Sequence, residues 1–239
     1  MNPPEIPNTA PPLPQPNHFR FESMPPGARP LLLLETLLKH PGRIIYELHG
    51  AGRDRLAIWF LFFALAGMAV YGVVVGTLAG GSQLWIAPTK LVLGTLLTVL
   101  LCLPSLYVFS CLGGSDVRLG GITGALAATV CLSSLLLLGF APVAWIFSQS
   151  TDSVAFMGAL HLLFWLIGLF FGLRLIAGMS RFRGETGRGH LKIWSLIFIL
   201  VCLQMTTTLR PIVGRSNRFL PEEKKFFLSH WMESLGKKG

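Results

Sequence analysis

Five long apolar runs constrain this chain more than any other feature of its sequence. They cover residues 57–79, 91–112, 122–147, 154–179 and 191–209. Each approaches or exceeds the roughly 20 apolar residues that a helix needs to cross the hydrocarbon core of a bilayer. With 52% hydrophobic and only 13% charged residues in a chain of 239, the composition is also that of a protein whose main solvent is lipid.

The runs predict helices, because a lipid-facing backbone must satisfy its own N–H and C=O groups and the alternating pattern of a membrane β-strand is absent. The predicted fold class is all-α: a polytopic transmembrane helix bundle of five spans, with an amphipathic interfacial helix at each end. Small residues spaced four apart at Gly72 and Gly76, Gly120 and Gly124, and Gly168 and Gly172 predict close helix–helix contact.

The predicted organisation has four parts. Residues 1–30 form a Pro-rich polar arm, expected to be disordered and to follow no cleavable signal peptide. Residues 31–56 form an amphipathic juxtamembrane segment, which either lies along the membrane surface or packs on the cytoplasmic loops. Residues 57–210 form the transmembrane domain. Residues 211–239 form a basic amphipathic tail with an aromatic anchor, which lies at the interface or docks on a partner.

Lys and Arg near the span ends predict the orientation in a cell (inner) membrane. Nine lie on one side and six on the other, so the N-terminus is predicted to be cytoplasmic and the C-terminus to lie on the opposite side. The first side has Lys39, Arg43, Arg53, Arg55, Arg118, Arg181, Arg183, Arg188 and Lys192; the second has Lys90, Arg210, Arg215, Arg218, Lys224 and Lys225.

Few polar residues fall within the runs, and these are the candidate functional residues. His161 is interpreted as a packed helix contact or a functional group, and Gln204 as a bond to a neighbouring helix. Arg174 lies nearer a span end and can extend to the interface. Gln149 belongs to the stretch SQSTDS, residues 148–153.

The stretch SQSTDS is interpreted as a turn in which Asp152 or Ser153 caps the next helix. The alternative is a polar gate, in which Asp152 pairs with Arg210 at the outer end of the bundle.

The sequence offers no signature of catalysis or of cofactor binding. It lacks a catalytic triad pattern, a phosphate-cradling glycine loop and a dinucleotide fingerprint. Cys102, Cys111, Cys131 and Cys202 have neither zinc-site nor disulfide-framework spacing. The expectation is a protein that is not an enzyme and has no cofactor, metal or nucleic-acid partner.

The segment PSLYVFSCLGGSDVRLGGITGALAATVCLSSLLLLGFAPV resembles the membrane domain of the Ypt-interacting-protein (YIP) family, with matching positions Gly113, Gly114, Arg118 and Pro142. The resemblance implies five spans and a cytoplasmic N-terminus. Phrases such as QLWIAPTK and FMGALHLLFWLIGLFFGLRL are also similar to uncharacterised bacterial polytopic membrane proteins.

Two functions follow as hypotheses. The first is a non-enzymatic scaffold, assembly factor or accessory subunit that contacts membrane lipids and binds a protein partner through the Pro-rich arm or the tail. The second is a small permease or channel subunit, with Pro104, Pro142, His161 and Gln204 lining a path. Oligomers are compatible with both, since small-residue packing operates within one chain or between copies.

Overall fold

The computed structural model describes residues 23–24, 30–50, 53–78, 80–114, 118–151, 153–182 and 188–208. Within those ranges the protein is entirely helical, which confirms the predicted class. The helices are α1 Pro30–Lys39, α2 Pro41–Glu47, α3 Arg53–Thr77, α4 Gln83–Leu112, α5 Leu119–Ser150, α6 Val154–Phe182 and α7 Arg188–Thr208.

Four of the helices, α3 to α6, are long and apolar enough to cross a membrane. Their mean hydropathy lies between 2.1 and 2.3, so the chain has the helices of an integral membrane protein. The fifth predicted span corresponds to α7, whose apolar part, Gly189–Met205, is shorter than those of the other four.

Hydrogen bonds between helices show which neighbouring helices are parallel and which are antiparallel. Ser134 in α5 donates to the Ala64 carbonyl of α3, and Thr77 of α3 meets Ser148 of α5, so these two helices run parallel. Ser133 of α5 donates to the Gly168 carbonyl oxygen of α6. Because Thr129 of α5 then contacts the later glycine of α6, Gly172, these two helices are antiparallel.

Helix α5 lies at the centre of the bundle, between α3 and α6, and α4 packs on α3. Helix α7 packs mainly on α4 and touches α6 only slightly. The Trp194 side chain of α7 is fully buried and its indole Nε1 donates to Ser105 Oγ of α4 at 3.1 Å. Helix α7 is therefore part of the bundle and not a separate segment.

Glycines allow the closest helix contacts, as the spacing predicts. A methyl group at Gly76 of α3 would lie 2.6 Å from the Gln83 carbonyl oxygen of α4. One at Gly172 of α6 would lie 2.6 Å from Ser133 Oγ and 2.9 Å from the Thr129 carbonyl oxygen of α5. Since real Cβ atoms do not approach so closely, a side chain at either glycine would force its helix away from the neighbouring one.

Helices α1 and α2 cover one end of the bundle. Ile44 and Ile45 of α2 are fully buried in the same apolar core as Phe60 of α3. The Leu48 side chain lies against Gly124 of α5. The inner face of this amphipathic segment thus packs on helices of the bundle.

The outer face of this segment has exposed apolar side chains. Leu31 and Leu38 of α1 are 74% and 51% exposed, and Tyr46 of α2 is 44% exposed. The contacts of Leu48 with α5 and of Tyr46 and His49 with Phe182 of α6 place α1 and α2 where α5 begins and α6 ends. We call this the α1–α2 end of the bundle; the end where α5 finishes and α6 begins is the opposite end.

Candidate functional site

A buried Tyr71–His161 pair is the most chemically distinctive feature inside the bundle. The Tyr71 hydroxyl of α3 and Nδ1 of His161 in α6 are 2.7 Å apart, and the rings meet edge to face at 88°. Tyr71 is 4% exposed and His161 is 9% exposed. The pair links two helices that are otherwise separated by α5 over much of their length.

The pair lies well inside the bundle. At about 1.5 Å of rise per residue, Tyr71 is about 9 Å from the last residue of α3, Thr77, and His161 is about 10 Å from the first residue of α6, Val154. Apolar side chains surround it, with Met68, Val75 and Phe164 in the same cluster. The His161 Nε2 atom is buried and, within the part of the chain that the structure describes, makes no hydrogen bond.

A contact between Thr77 and Ser148 joins α3 to α5 near the opposite end, and Gln149 of α5 extends it. Thr77 Oγ1 and Ser148 Oγ are 3.1 Å apart, and Gln149 Nε2 donates to Ser148 Oγ at 3.3 Å. Gln149 itself is exposed. These groups and the Tyr71–His161 pair thus occupy the same half of the bundle, with apolar residues between them.

Lys90 is a buried cation that the sequence places near a span end, just before the apolar run that begins at residue 91. Its burial was not predicted. In the structure α4 begins at Gln83, and Lys90 lies within that helix with its side chain fully buried. Gln83 is also buried, on the same face of α4. Gln83 and Lys90 are seven residues apart, a spacing that puts two residues on one face of a helix. That spacing is the sequence signal by which their shared burial could have been predicted.

The other predicted functional residues do not converge on one site. Arg174 is on the exposed surface of α6, and Gln204 is half-buried on α7, a helix that barely contacts α6. Asp152 and Arg210, the proposed ion pair of the gate hypothesis, both lie outside the described residues.

The residues proposed to line a path are also separated. Pro104 and Pro142 both lie inside their helices with exposed side chains. His161 is buried, and the Oε1 atom of Gln204 is buried as well, but Gln204 lies on α7, which barely contacts α6. The structure therefore does not bring these four residues together, and the path through them stays a hypothesis.

The predicted turn is shorter than SQSTDS, because residues 148–150 belong to α5, but the predicted cap by Ser153 is confirmed. Ser153 precedes α6, and its Oγ accepts a hydrogen bond from the Phe156 backbone N–H at 3.3 Å. The Ser153 N–H in turn donates to Thr151 Oγ1 at 3.2 Å. The bond between Ser153 and Phe156 is the contact that an N-cap residue makes with the first turn of its helix.

The cysteines are all free thiols, and three of them are buried inside the bundle: Cys102, Cys131 and Cys202. Cys202 of α7 lies close enough to interact with Cys102 and Thr98 of α4. Among the residues described by the structure, no three His, Cys, Asp or Glu side chains come together as a metal site would require.

Comparison of the whole chain with protein-family models, with curated proteins and with solved structures gives no match in any of the three. The function of the chain must therefore be inferred from its sequence and from the geometry of the bundle.

Proposed function

We propose that this chain is an integral membrane protein that serves as a non-catalytic scaffold, assembly factor or accessory subunit of a membrane complex. The observation that carries the proposal is the use made of the polar side chains inside the bundle. Ser133, Ser134 and Trp194 each donate to another helix. Groups used in this way hold a bundle together and leave little for a substrate.

The proposal includes five membrane spans, with α7 as the fifth. Its 21 residues give a helix about 31 Å long, and its apolar part, Gly189–Met205, is about 25 Å long, at the short end of the range that crosses a bilayer. The contacts of α7 with α4 support this. Trp194 is near the start of α7 and meets Ser105 in the second half of α4, whereas Cys202, further along α7, interacts with the earlier Thr98. The two helices are therefore antiparallel, as the second and fifth crossings of a five-span bundle must be.

Charge supports a cytoplasmic location for the α1–α2 end. Arg55, Arg118, Arg181 and Lys192 are exposed there. At the opposite end the described residues include no exposed Lys or Arg. Under the positive-inside rule, this asymmetry supports the proposed cytoplasmic N-terminus, with the end of α7 on the other side.

The partner in this proposal is a protein, recruited through the Pro-rich arm or the C-terminal tail. Apart from residues 23, 24 and 30 of the arm, both segments lie outside the described residues, so the support comes from their sequences. Extended Pro-rich segments present a preformed shape to grooves, and amphipathic helices dock with their apolar face.

Affinity purification of the full chain from its native membrane tests this function. The matched variant is Tyr71→Phe with His161→Leu, which removes the buried polar pair and leaves the arm and the tail unchanged. A stoichiometric partner recovered with both proteins supports a scaffold or accessory subunit. Recovery of the chain alone in both cases, or a solute flux in vesicles that the variant abolishes, would contradict it.

A further inference from the structure

Three exposed aromatic side chains lie near the opposite end of the bundle, one on each of α4, α5 and α6. Trp85 is 80% exposed, Trp145 is 51% exposed and Phe156 is 45% exposed. All three side chains therefore face the surroundings of the bundle and not its core. We call these three residues the aromatic girdle.

The contacts between α5 and α6 place two members of the girdle at the same height. Phe156 is twelve residues before Gly168 of α6, and Trp145 is twelve residues after Ser133 of α5. Ser133 donates to the Gly168 carbonyl oxygen, and the two helices are antiparallel. Trp145 and Phe156 are therefore level with each other along the bundle.

Trp85 of α4 lies at this height as well. It is two residues after Gln83, whose carbonyl group lies against Gly76 of α3. Because Pro88, later in α4, contacts the earlier Gly72, α3 and α4 are antiparallel, and Trp85 is level with residue 74 of α3. The contact between residues 77 of α3 and 148 of α5 in turn makes residue 74 level with residue 145, the girdle residue of α5.

Exposed cations share a second height, near the α1–α2 end. Arg55 of α3 is nine residues before Ala64, and Arg174 of α6 is six residues after Gly168. The carbonyl oxygens of Ala64 and Gly168 accept hydrogen bonds from two adjacent serines of α5. At about 1.5 Å of rise per residue, the heights of Arg55 and Arg174 therefore differ by only about 3 Å.

The exposed Lys192 of α7 lies at this second height too. It is two residues before Trp194, whose indole donates to Ser105, so it is level with residue 107 of α4. The contact of Gly72 with Pro88 makes residue 107 level with residue 53 of α3, two residues from the cation of that helix. The name cation belt is used below for Arg55, Arg174 and Lys192.

The surface between the girdle and the belt is apolar. Among the residues that the structure describes, the exposed side chains between these two heights carry no charge, and they include Leu97, Leu163 and Leu196. Phe156 and Arg174 are 18 residues apart on α6, which corresponds to about 27 Å. This height is close to the roughly 30 Å hydrocarbon core of a bilayer.

We propose that the aromatic girdle lies at the headgroup boundary of one leaflet and the cation belt at that of the other, so that the bilayer is the partner of this surface. Trp side chains favour that boundary because they are amphipathic, and Arg and Lys reach lipid phosphates from it. The inference rests on the membrane insertion in the proposed function. It depends neither on the scaffold role nor on which end is cytoplasmic.

The placement gives the buried polar groups a depth. Lys90 is five residues after Trp85, and His161 is five residues after Phe156. Both residues, and with them the Tyr71–His161 pair, therefore lie about 7 Å inside the hydrocarbon, in the leaflet of the girdle.

Site-directed spin labelling of the full chain in phospholipid vesicles measures these depths. Single cysteines replace exposed residues along α4 in a cysteine-free chain, through W85C, T89C, L93C, L97C, L101C and Y107C. Power saturation with oxygen, which partitions into lipid, and with a water-soluble nickel complex gives the depth of each label. We expect the depth to increase by about 6 Å for every four residues from residue 85, to be greatest at residue 97 and to decrease again towards residue 107.

A matched scan on α6 uses F156C, L163C, L166C and R174C, which are also exposed positions. The labels at residues 156 and 174 should be shallow, and the label at residue 166 should be the deepest. Labels at residues 85 and 156 should have depths that agree to within one helical turn, about 5 Å. All these side chains face outward, so the substitutions leave the packing of the bundle unchanged.

A deepest label on α4 at residue 93, 97 or 101 supports the inference, and one at residue 85, 89 or 107 overturns it. Depths at residues 85 and 156 that differ by more than one helical turn would also overturn it. Contact of every label with the nickel complex would contradict membrane insertion as well. The expected depths, together with recovery of the chain alone in affinity purification, would contradict the scaffold role and support this inference.

Discussion

Removing the Tyr71 hydroxyl tests whether the buried polar pair holds α3 and α6 together. Tyr71→Phe keeps the ring and deletes the 2.7 Å hydrogen bond to His161 Nδ1. Nδ1 then becomes a second unpaired nitrogen on a side chain that is 9% exposed and whose Nε2 already lacks a partner among the described residues. An orphaned buried group of this kind costs about 1–3 kcal/mol in soluble proteins.

The membrane lowers that expectation. Interhelical hydrogen bonds measured in a membrane protein average about 0.6 kcal/mol and reach about 1.7 kcal/mol, because the unfolded state in lipid also finds partners. We therefore expect Tyr71→Phe to reduce the free energy of unfolding by about 1 kcal/mol. His161→Leu should cost less, because it removes the unsatisfied Nε2 together with the bond.

A double-mutant cycle isolates the interaction. Tyr71→Phe combined with His161→Leu leaves no polar atom unpaired at this contact, so the double variant should be more stable than the sum of the single changes predicts. The assay is reversible unfolding by sodium dodecyl sulfate in mixed micelles, followed by tryptophan fluorescence. Single effects that add to within about 0.3 kcal/mol would refute the inference that the two side chains interact.

The other predictions concern packing, charge and the fifth helix. Gly172→Ala should destabilise the bundle by about 1–3 kcal/mol, because its methyl group would overlap Ser133 and Thr129. The matched change Gly158→Ala, whose methyl group meets nothing within 4 Å, should be neutral or stabilising. Unfolding in micelles compares the two variants, and equal effects would contradict the close contact. Trp194→Phe should cost about 0.6 kcal/mol by losing the bond to Ser105, with Trp85→Phe at an 80% exposed site as the control. The hydrogen bond from Lys39 lowers the pKa of Glu35 below its ordinary value of 4.5. The stabilisation from this pair is therefore present above pH 4.5 and is lost as the pH falls through the pKa that Glu35 has in the folded protein. NMR titration of the Glu35 carboxyl should show the lowered pKa, and Lys39→Gln should return it to the ordinary value.

The helices could be predicted from the sequence because the length and apolar composition of a run are enough to indicate a membrane helix. The apolar runs correspond to α3 through α7, with ends that differ by up to four residues except at the start of α4, which lies eight residues before its run. The close helix contact at Gly72 and Gly76 was also predicted, because the spacing of two glycines is visible in the sequence. The helix cap at Ser153 was predicted because the residue type and its position before an apolar run are enough to indicate it. The resemblance to the YIP family is not tested by these features and stays a prediction.

The site could be predicted only in part. His161 was a candidate because a polar residue in an apolar run is visible, but its partner Tyr71 is distant in sequence and no local pattern connects them. The burial of Lys90 was not predicted, because α4 begins before the apolar run does, within a stretch whose composition is typical of a loop. An amphipathic pattern also cannot distinguish burial against lipid from burial against protein, which left the packing of α2 open.

The central claim is that α7 is the last of five alternating crossings. Cysteines introduced singly by Ser82→Cys, His190→Cys and Gly214→Cys into a cysteine-free chain report the side of each position, through labelling of intact cells with a membrane-impermeant maleimide. Ser82 lies at the opposite end and His190 in the first turn of α7. The account predicts that residues 82 and 214 are labelled from outside and that residue 190 is labelled only after permeabilisation. Labelling of residues 190 and 214 from the same side would contradict it.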